Sequence, residues 1–129
     1  MKLWGIGIDV VEIKRIEQSL SEFGERFRDR IFTAREQAYC EAQKRPAIHY
    51  AARFATKEAV AKALGTGIGV HAGWCDIEVI RKESGEPEVV FSGAALLFVE
   101  ENDLNSVKVS LTHAEHYAAA NAVVLQRES

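Results

Sequence analysis

Prolines and cysteines are scarce in this 129-residue chain, two of each, and no stretch approaches the about 20 consecutive apolar residues that cross a bilayer. With so few prolines, 47% hydrophobic and 27% charged residues, the composition is that of one ordinary soluble domain spanning 1–129. Cys40 and Cys75 lie far apart without partners at metal-ligand spacing, which argues against a disulfide framework and a zinc site. The opening MKLWGIGIDVVEIKR has neither a continuous apolar run nor a small-residue cleavage site, so a cytoplasmic protein without membrane attachment is expected. Surface scaling puts the folded accessible area at roughly 6,800 Å² against about 20,700 Å² unfolded, enough burial for a real core. Strong charge of one sign is missing as well. The net charge is −3, but residues 1–75 carry +3 and residues 76–129 carry −6. Such a chain is no general nucleic-acid binder, although Arg26, Arg28 and Arg30 form a cluster able to meet an anionic partner or simply a solvated helix face.

Hydrophobic patterning predicts α+β architecture. Residues 3–9 read as a short strand ending in Asp9, and Ile13, Ile16, Leu20, Phe23 and Phe27 recur at helical steps interrupted by Gly24. Thr33 and Glu36 have capping-box spacing, predicting a helix over 34–43. Pro46 suits the first turn of a long alanine-rich helix that Gly65 would stop in a left-handed conformation. Thereafter the period becomes that of strands, over 74–80, 88–91, 107–113 and 117–126, with one short helix over 94–104. Helices therefore concentrate in the N-terminal half and pack on a mainly antiparallel sheet.

The stretch RFATKEAVAKALGTGIG at 53–69 is the richest in chemistry. On a helix, Glu58, Lys62 and Gly65 share one face. An isolated pair of this kind is a surface contact worth about a few tenths of a kcal/mol. Here, however, alanines around the pair permit close approach by another element, and GTGIG follows with free backbone amides for a phosphate. The order of lysine and glycines is not that of a Walker loop, and GIGID lacks the third glycine of a dinucleotide fingerprint. Asp9 by itself reads as a helix cap. Together with Glu58 it supplies two oxygen ligands, enough for a Mg²⁺ ion that keeps waters and binds substrate phosphates. His113 reads as a strand-end histidine or a phosphate contact, and Ser110 points to the opposite side of its strand, which argues against a Ser–His nucleophile. His49, His71 and His116 have no ligand spacing and read as structural or surface residues.

In this order, GIGIDVVEIKRI at 5–16, RFATKEAVAKALGTGIG at 53–69 and SLTHAEHYAAANAVV at 110–124 resemble the three characteristic segments of the holo-[acyl-carrier-protein] synthases. These are the small stand-alone 4′-phosphopantetheinyl transferases, and the resemblance covers essentially the whole chain. It implies transfer of phosphopantetheine from coenzyme A to a serine of apo acyl-carrier protein, with Mg²⁺, in support of fatty acid biosynthesis. Adenosine 3′,5′-bisphosphate is the product released. By position, Asp9 and Glu58 match the metal-binding acids and Lys62 the lysine near the diphosphate. Gly65, Thr66, Ser110 and His113 match positions near the coenzyme, and Lys44 and Arg45 match basic residues approaching its phosphates. Arg15 matches the arginine after the first acid, and Arg26 and Arg30 resemble positions facing the carrier protein's acidic helix. Proton removal from the serine then falls to Glu58 directly or to a metal-bound water held by it. The resemblance also implies a homotrimer with sites between subunits. Two competing classes are a non-catalytic module binding carrier protein or coenzyme A, which would not need paired metal acids, and a metal-dependent diphosphate hydrolase, whose long acidic box is absent.

Overall fold

Proline at the first turn and glycine just past the last one bound a 19-residue helix, Pro46–Leu64 (α4), around which the computed structural model, describing residues 1–128, is arranged. Gly65 adopts φ 88°, and its N–H returns to the carbonyls of Ala61 and Lys62. Four elements precede α4: strand Lys2–Glu12 (β1) and helices Ile13–Phe23 (α1), Glu25–Ile31 (α2) and Ala34–Glu41 (α3). A 3₁₀ turn at Trp74–Asp76 follows, then strands Ile77–Arg81 (β2) and Pro87–Phe91 (β3), helix Gly93–Glu101 (α5), and strands Leu104–His113 (β4) and Tyr117–Gln126 (β5). The fold is α+β. Both sheets are antiparallel: β1-β5-β4 with β5 central, and the hairpin β2-β3.

Several boundaries differ from the sequence reading for identifiable reasons. The strand expected over 3–9 continues to Glu12, because Val10 and Val11 keep pairing with Ala119 and Ala118, and the turn into α1 is closed by the Ile13 N–H donating to the His116 carbonyl. Residues 74–76 coil before β2, where the Asp76 carboxylate accepts from the Gly73 and Ala95 amides. Helix α3 ends at Glu41 and α5 at Glu101; beyond the latter, Asp103 turns left-handed at φ 54° and Leu104 already pairs with Gln126. The Thr33–Glu36 capping box forms as its spacing predicts.

Period 2 divides β1 into two faces. Gly5, Gly7, Asp9 and Val11 look toward α4; Ile6, Ile8 and Val10 look away and are 69%, 65% and 59% exposed. The glycines are there for room. A Cβ on Gly5 would collide with the Ala63 carbonyl oxygen, and one on Gly7 with that of Ala59, while also standing 2.8 Å from the Ala63 nitrogen. These obstacles are helix backbone, which cannot swing aside. Ala59 and Ala63 complete the seam, so strand and helix meet almost without side chains between them. A Gly7→Ala variant is accordingly expected to lose stability by about 1–3 kcal/mol or more as α4 is pushed off β1, read as a lower denaturant midpoint with unchanged slope.

Candidate active site

Between Tyr50 and Leu64, α4 is buried on nearly every side; the three residues that are not are Phe54, Glu58 and Lys62, one per turn along a single stripe. A carboxylate and an ammonium thus occupy the one open line of an otherwise submerged helix. Close packing through Gly5 and Gly7 delivers Asp9 of β1 to the same line. The Lys62 ammonium donates to the Ile8 carbonyl at 3.0 Å and to Asp9 Oδ1 at 3.3 Å; the Asp9 side chain is 18% exposed and that of Lys62 50%. Burial pushes the Glu58 carboxyl above the usual carboxylate range, the charge of Asp9 adds to this, and the Lys62 ammonium offsets part of it. Two carboxylates whose charges act on one another, with one lysine beside them, form a place where a polyvalent cation and an anionic substrate would each relieve unfavourable charge.

The remaining residues singled out from the sequence are spread over the molecule. Gly65 and Thr66 follow the C-terminal end of α4, where the Thr66 hydroxyl donates to the Gly67 carbonyl. Lys44 lies exposed before α4, and Arg45, its N-cap, borders a hollow with Glu12, Lys14, Glu17, Glu115 and His116. Arg15 is exposed on α1, and Arg26 and Arg30 on α2. In the sheet, Asp9 pairs with Ala120 and Ala120 with Leu111, so Asp9 and β4 stand two strand spacings apart, about 10 Å. His113 shares the α4-facing side of the sheet with Asp9. Ser110 belongs to the other side, in register with Asn121 and Ile8.

A second concavity, of about 330 Å³, collects His113 and Ser110 with residues the sequence reading did not select: Tyr39 of α3, His49 and Arg53 of α4, and Arg81 of β2. Arg53 is 6% exposed, and its Nε has no hydrogen-bond partner among the described residues. Its guanidinium lies 4.1 Å from the centre of the Tyr39 ring, whose hydroxyl pairs with Arg81 Nη1 at 3.0 Å. No carboxylate among the described residues lines this concavity, so it is cationic and has an unsatisfied buried donor. Its members come from five elements, α3, α4, β2, β3 and β4. The one local signal is that His49 and Arg53 stand four apart on a helix. Cys40 is fully buried beneath, its thiol pushed up to about 12 chiefly by that burial, and is inert.

One α+β frame thus carries a carboxylate–lysine group and a cationic pocket. The model of the 4′-phosphopantetheinyl transferase superfamily matches residues 5–122. Relatives include the holo-[acyl-carrier-protein] synthases of Protochlamydia amoebophila, 45% identical over 92% of this chain and 95% of that protein, and of Moorella thermoacetica, 46% identical over 92% and 91%. Among solved structures, the holo-[acyl-carrier-protein] synthase of Neisseria meningitidis superposes with a TM-score of 0.90 at 34% identity, covering 96% of this chain and 99% of that one. The Bacillus anthracis synthase, solved in complex with CoA (3′,5′-ADP), has a TM-score of 0.83 at 34% identity, covering 98% and 100%. The chain belongs to the 4′-phosphopantetheinyl transferase superfamily and, within it, to the holo-[acyl-carrier-protein] synthase family.

Proposed function

We propose that this protein transfers the 4′-phosphopantetheine group of coenzyme A to a serine of apo acyl-carrier protein, supporting fatty acid biosynthesis in the cytoplasm. The observation that carries this is the open stripe of α4, which aims Glu58 and Lys62 at Asp9. A non-catalytic binding module would have no use for two apposed carboxylates at a cost in charge repulsion. Asp9 and Glu58 would hold Mg²⁺, and the donor set fits: two hard oxygen ligands, which that ion combines with waters and phosphate oxygens. When bound there, the ion supplies positive charge at the diphosphate.

The chain's own residues do the rest. The serine oxygen attacks the phosphorus that carries pantetheine, and the bond from that phosphorus to the bridging oxygen breaks, releasing adenosine 3′,5′-bisphosphate. Lys62 meets the charge growing on the departing phosphate. Proton removal from the serine hydroxyl falls to Glu58 directly or to a water that it holds. The cationic pocket takes the nucleotide end: the Arg53 guanidinium and His113 meet phosphate oxygens, and Ser110 is part of the lining. Arg15, Arg26 and Arg30 face the acidic carrier protein, and Lys44, Arg45, Gly65 and Thr66 border the coenzyme. The assay is intact-mass spectrometry of apo acyl-carrier protein incubated with this protein, coenzyme A and Mg²⁺. A phosphopantetheine-sized gain, absent with chelator, is the expected result, and no gain on several folded carrier proteins would sink the reading.

The two halves of the site belong to different subunits of a homotrimer in this proposal. Glu58 and Arg53 are five residues apart on α4, about 140° around its axis, so the open stripe and the cationic pocket look out from different sides of one helix. Ile6, Ile8, Val10, Tyr117 and Val123 leave one sheet face apolar and open, and the accessible surface of 7,498 Å² exceeds the roughly 6,800 Å² expected for this mass. Placing a charge at the exposed Ile8, as in Ile8→Asp, is expected to yield folded monomers by sedimentation equilibrium with little transfer activity. A fully active monomer would defeat the shared site.

A further inference from the structure

His49 is a residue for which the chemistry so far has no use, although it sits in the first turn of α4 with its ring in the cationic pocket. The imidazole centroids of His49 and His113 are 6.5 Å apart, and His49 meets the edge of Tyr39 at 5.9 Å. Every charged group facing it is positive or potentially so: Arg53 from its own helix, Arg81 from β2 and His113 from β4, with the neutral Tyr39 from α3. Burial first, then the charges of Arg53, His113 and Arg81, hold its imidazole below the usual histidine value, so it is neutral near pH 7. The Arg53 guanidinium, 4.1 Å from the Tyr39 ring, lines the same space, and no carboxylate among the described residues does.

We propose that His49 is a ligand-contacting residue of this pocket and that its imidazole takes up a proton from solvent as a phosphate group enters. The inference rests on the reading of the pocket as the nucleotide end of the coenzyme site and adds to it the identity and protonation of a further contact. The sign follows from the field. Before the anion arrives, the guanidinium groups of Arg53 and Arg81 oppose a further positive charge. A phosphate neutralises the two guanidinium groups and offers the imidazolium N–H an oxygen, so the charged form becomes the favoured one. Nothing covalent happens; one proton moves from buffer to ring. Linkage then requires the contribution of His49 to affinity to grow as pH falls, by up to about tenfold per pH unit. The ligand's own phosphate monoester gains a proton near pH 6 and pulls the other way, so the quantity to read is the difference between wild type and a His49 variant.

The test is calorimetric titration with adenosine 3′,5′-bisphosphate at pH 6.5 and 8.0, in buffers of different ionisation enthalpy, on wild type, His49→Phe and His49→Gln. Wild type should take up more protons than either variant at pH 6.5, and its affinity advantage over both should widen several-fold between pH 8.0 and pH 6.5. In wild type, the histidine ring resonances should show His49 passing from neutral to charged at constant pH 7 when the bisphosphate is added. Coenzyme A and dephospho-coenzyme A, run in parallel, tell whether the monoester or the diphosphate is responsible; a response to either supports the contact. Binding with equal proton uptake in all three proteins, and an unmoved His49 resonance, would overturn the role of His49 while leaving the pocket's assignment standing. Failure of the bisphosphate and of coenzyme A to bind at all would overturn both.

Discussion

Replacing Asp9 by alanine is expected to lower the rate of phosphopantetheine transfer by about 100- to 1,000-fold, the range seen when one preorganised electrostatic contact to a reacting oxyanion is lost. Two effects combine. The substitution removes one of two oxygen donors for the cation, and it releases the Lys62 ammonium, now held by Asp9 Oδ1 and the Ile8 carbonyl, from its aim along the open stripe of α4. The fold should hardly notice, because the hydrogen bond that the Asp9 carboxylate accepts from Lys62 is exposed and β1 is kept in register by its backbone pairing with β5. A thermal midpoint close to wild type, with a nearly silent mass assay, is the combination that identifies a chemical rather than a structural role. Glu58→Gln should behave similarly. If Asp9→Ala transferred at the wild-type rate in excess Mg²⁺, the two-carboxylate scheme would have to be abandoned.

The second large effect concerns a neighbour of Glu58 that touches no substrate. Lys57 and Glu36 are both fully buried and paired at 2.8 Å. The ammonium also donates to the carbonyls of Trp74 at 2.9 Å and Ile77 at 2.7 Å, which uses all three of its hydrogens. Glu36 in turn accepts the backbone N–H groups of Thr33 and Val79. One ion pair thus joins the start of α3, the middle of α4 and the entry to β2. Lys57→Met is expected to destabilise the protein by about 3–5 kcal/mol, because it strands a buried carboxylate. For a chain of this length that corresponds to a fall in melting temperature of roughly 10–20 °C. Adding Glu36→Gln to Lys57→Met should return part of the loss, since the amide keeps an acceptor for a neighbouring N–H without the charge. If the double variant were as unstable as the sum of the singles, the stranded charge would not be the cause.

Lys57 also marks a limit of reading the sequence. In TKEAVAK it is one more charge on an alanine-rich helix, and nothing in its spacing separates it from Lys62, which is half exposed five residues later. Burial is decided by what packs on each side, and the partner, Glu36, is legible only as the third residue of a capping box. The ends of α4 were legible because Pro46 and Gly65 act locally, through a fixed φ and a left-handed turn. Strand β5 was legible as an apolar run with adjacent valines after the short AEH connection, whereas its alternation of buried and exposed residues emerges only in the fold. The end of β1 was not: whether Val10 and Val11 close a strand or open a helix depends on Ala118 and Ala119, which no local pattern announces. The same holds for the candidate site. Asp9, Glu58 and Lys62 were singled out by residue type and helical spacing together with family resemblance, whereas Tyr39, His49, Arg53 and Arg81 meet only through tertiary packing.

Asp9 faces Ala120 across a strand pair whose members are more than a hundred positions apart in sequence. During synthesis, β1, α1 and α4 emerge long before β5, so the flat glycine seam that α4 occupies has no middle strand to brace it until late in translation. Closing so long a loop is entropically expensive and slow compared with forming the helices. A nascent chain therefore carries Asp9 from early on, whereas a chain that stops before residue 120 lacks both the residue opposite it and the strand that braces the seam.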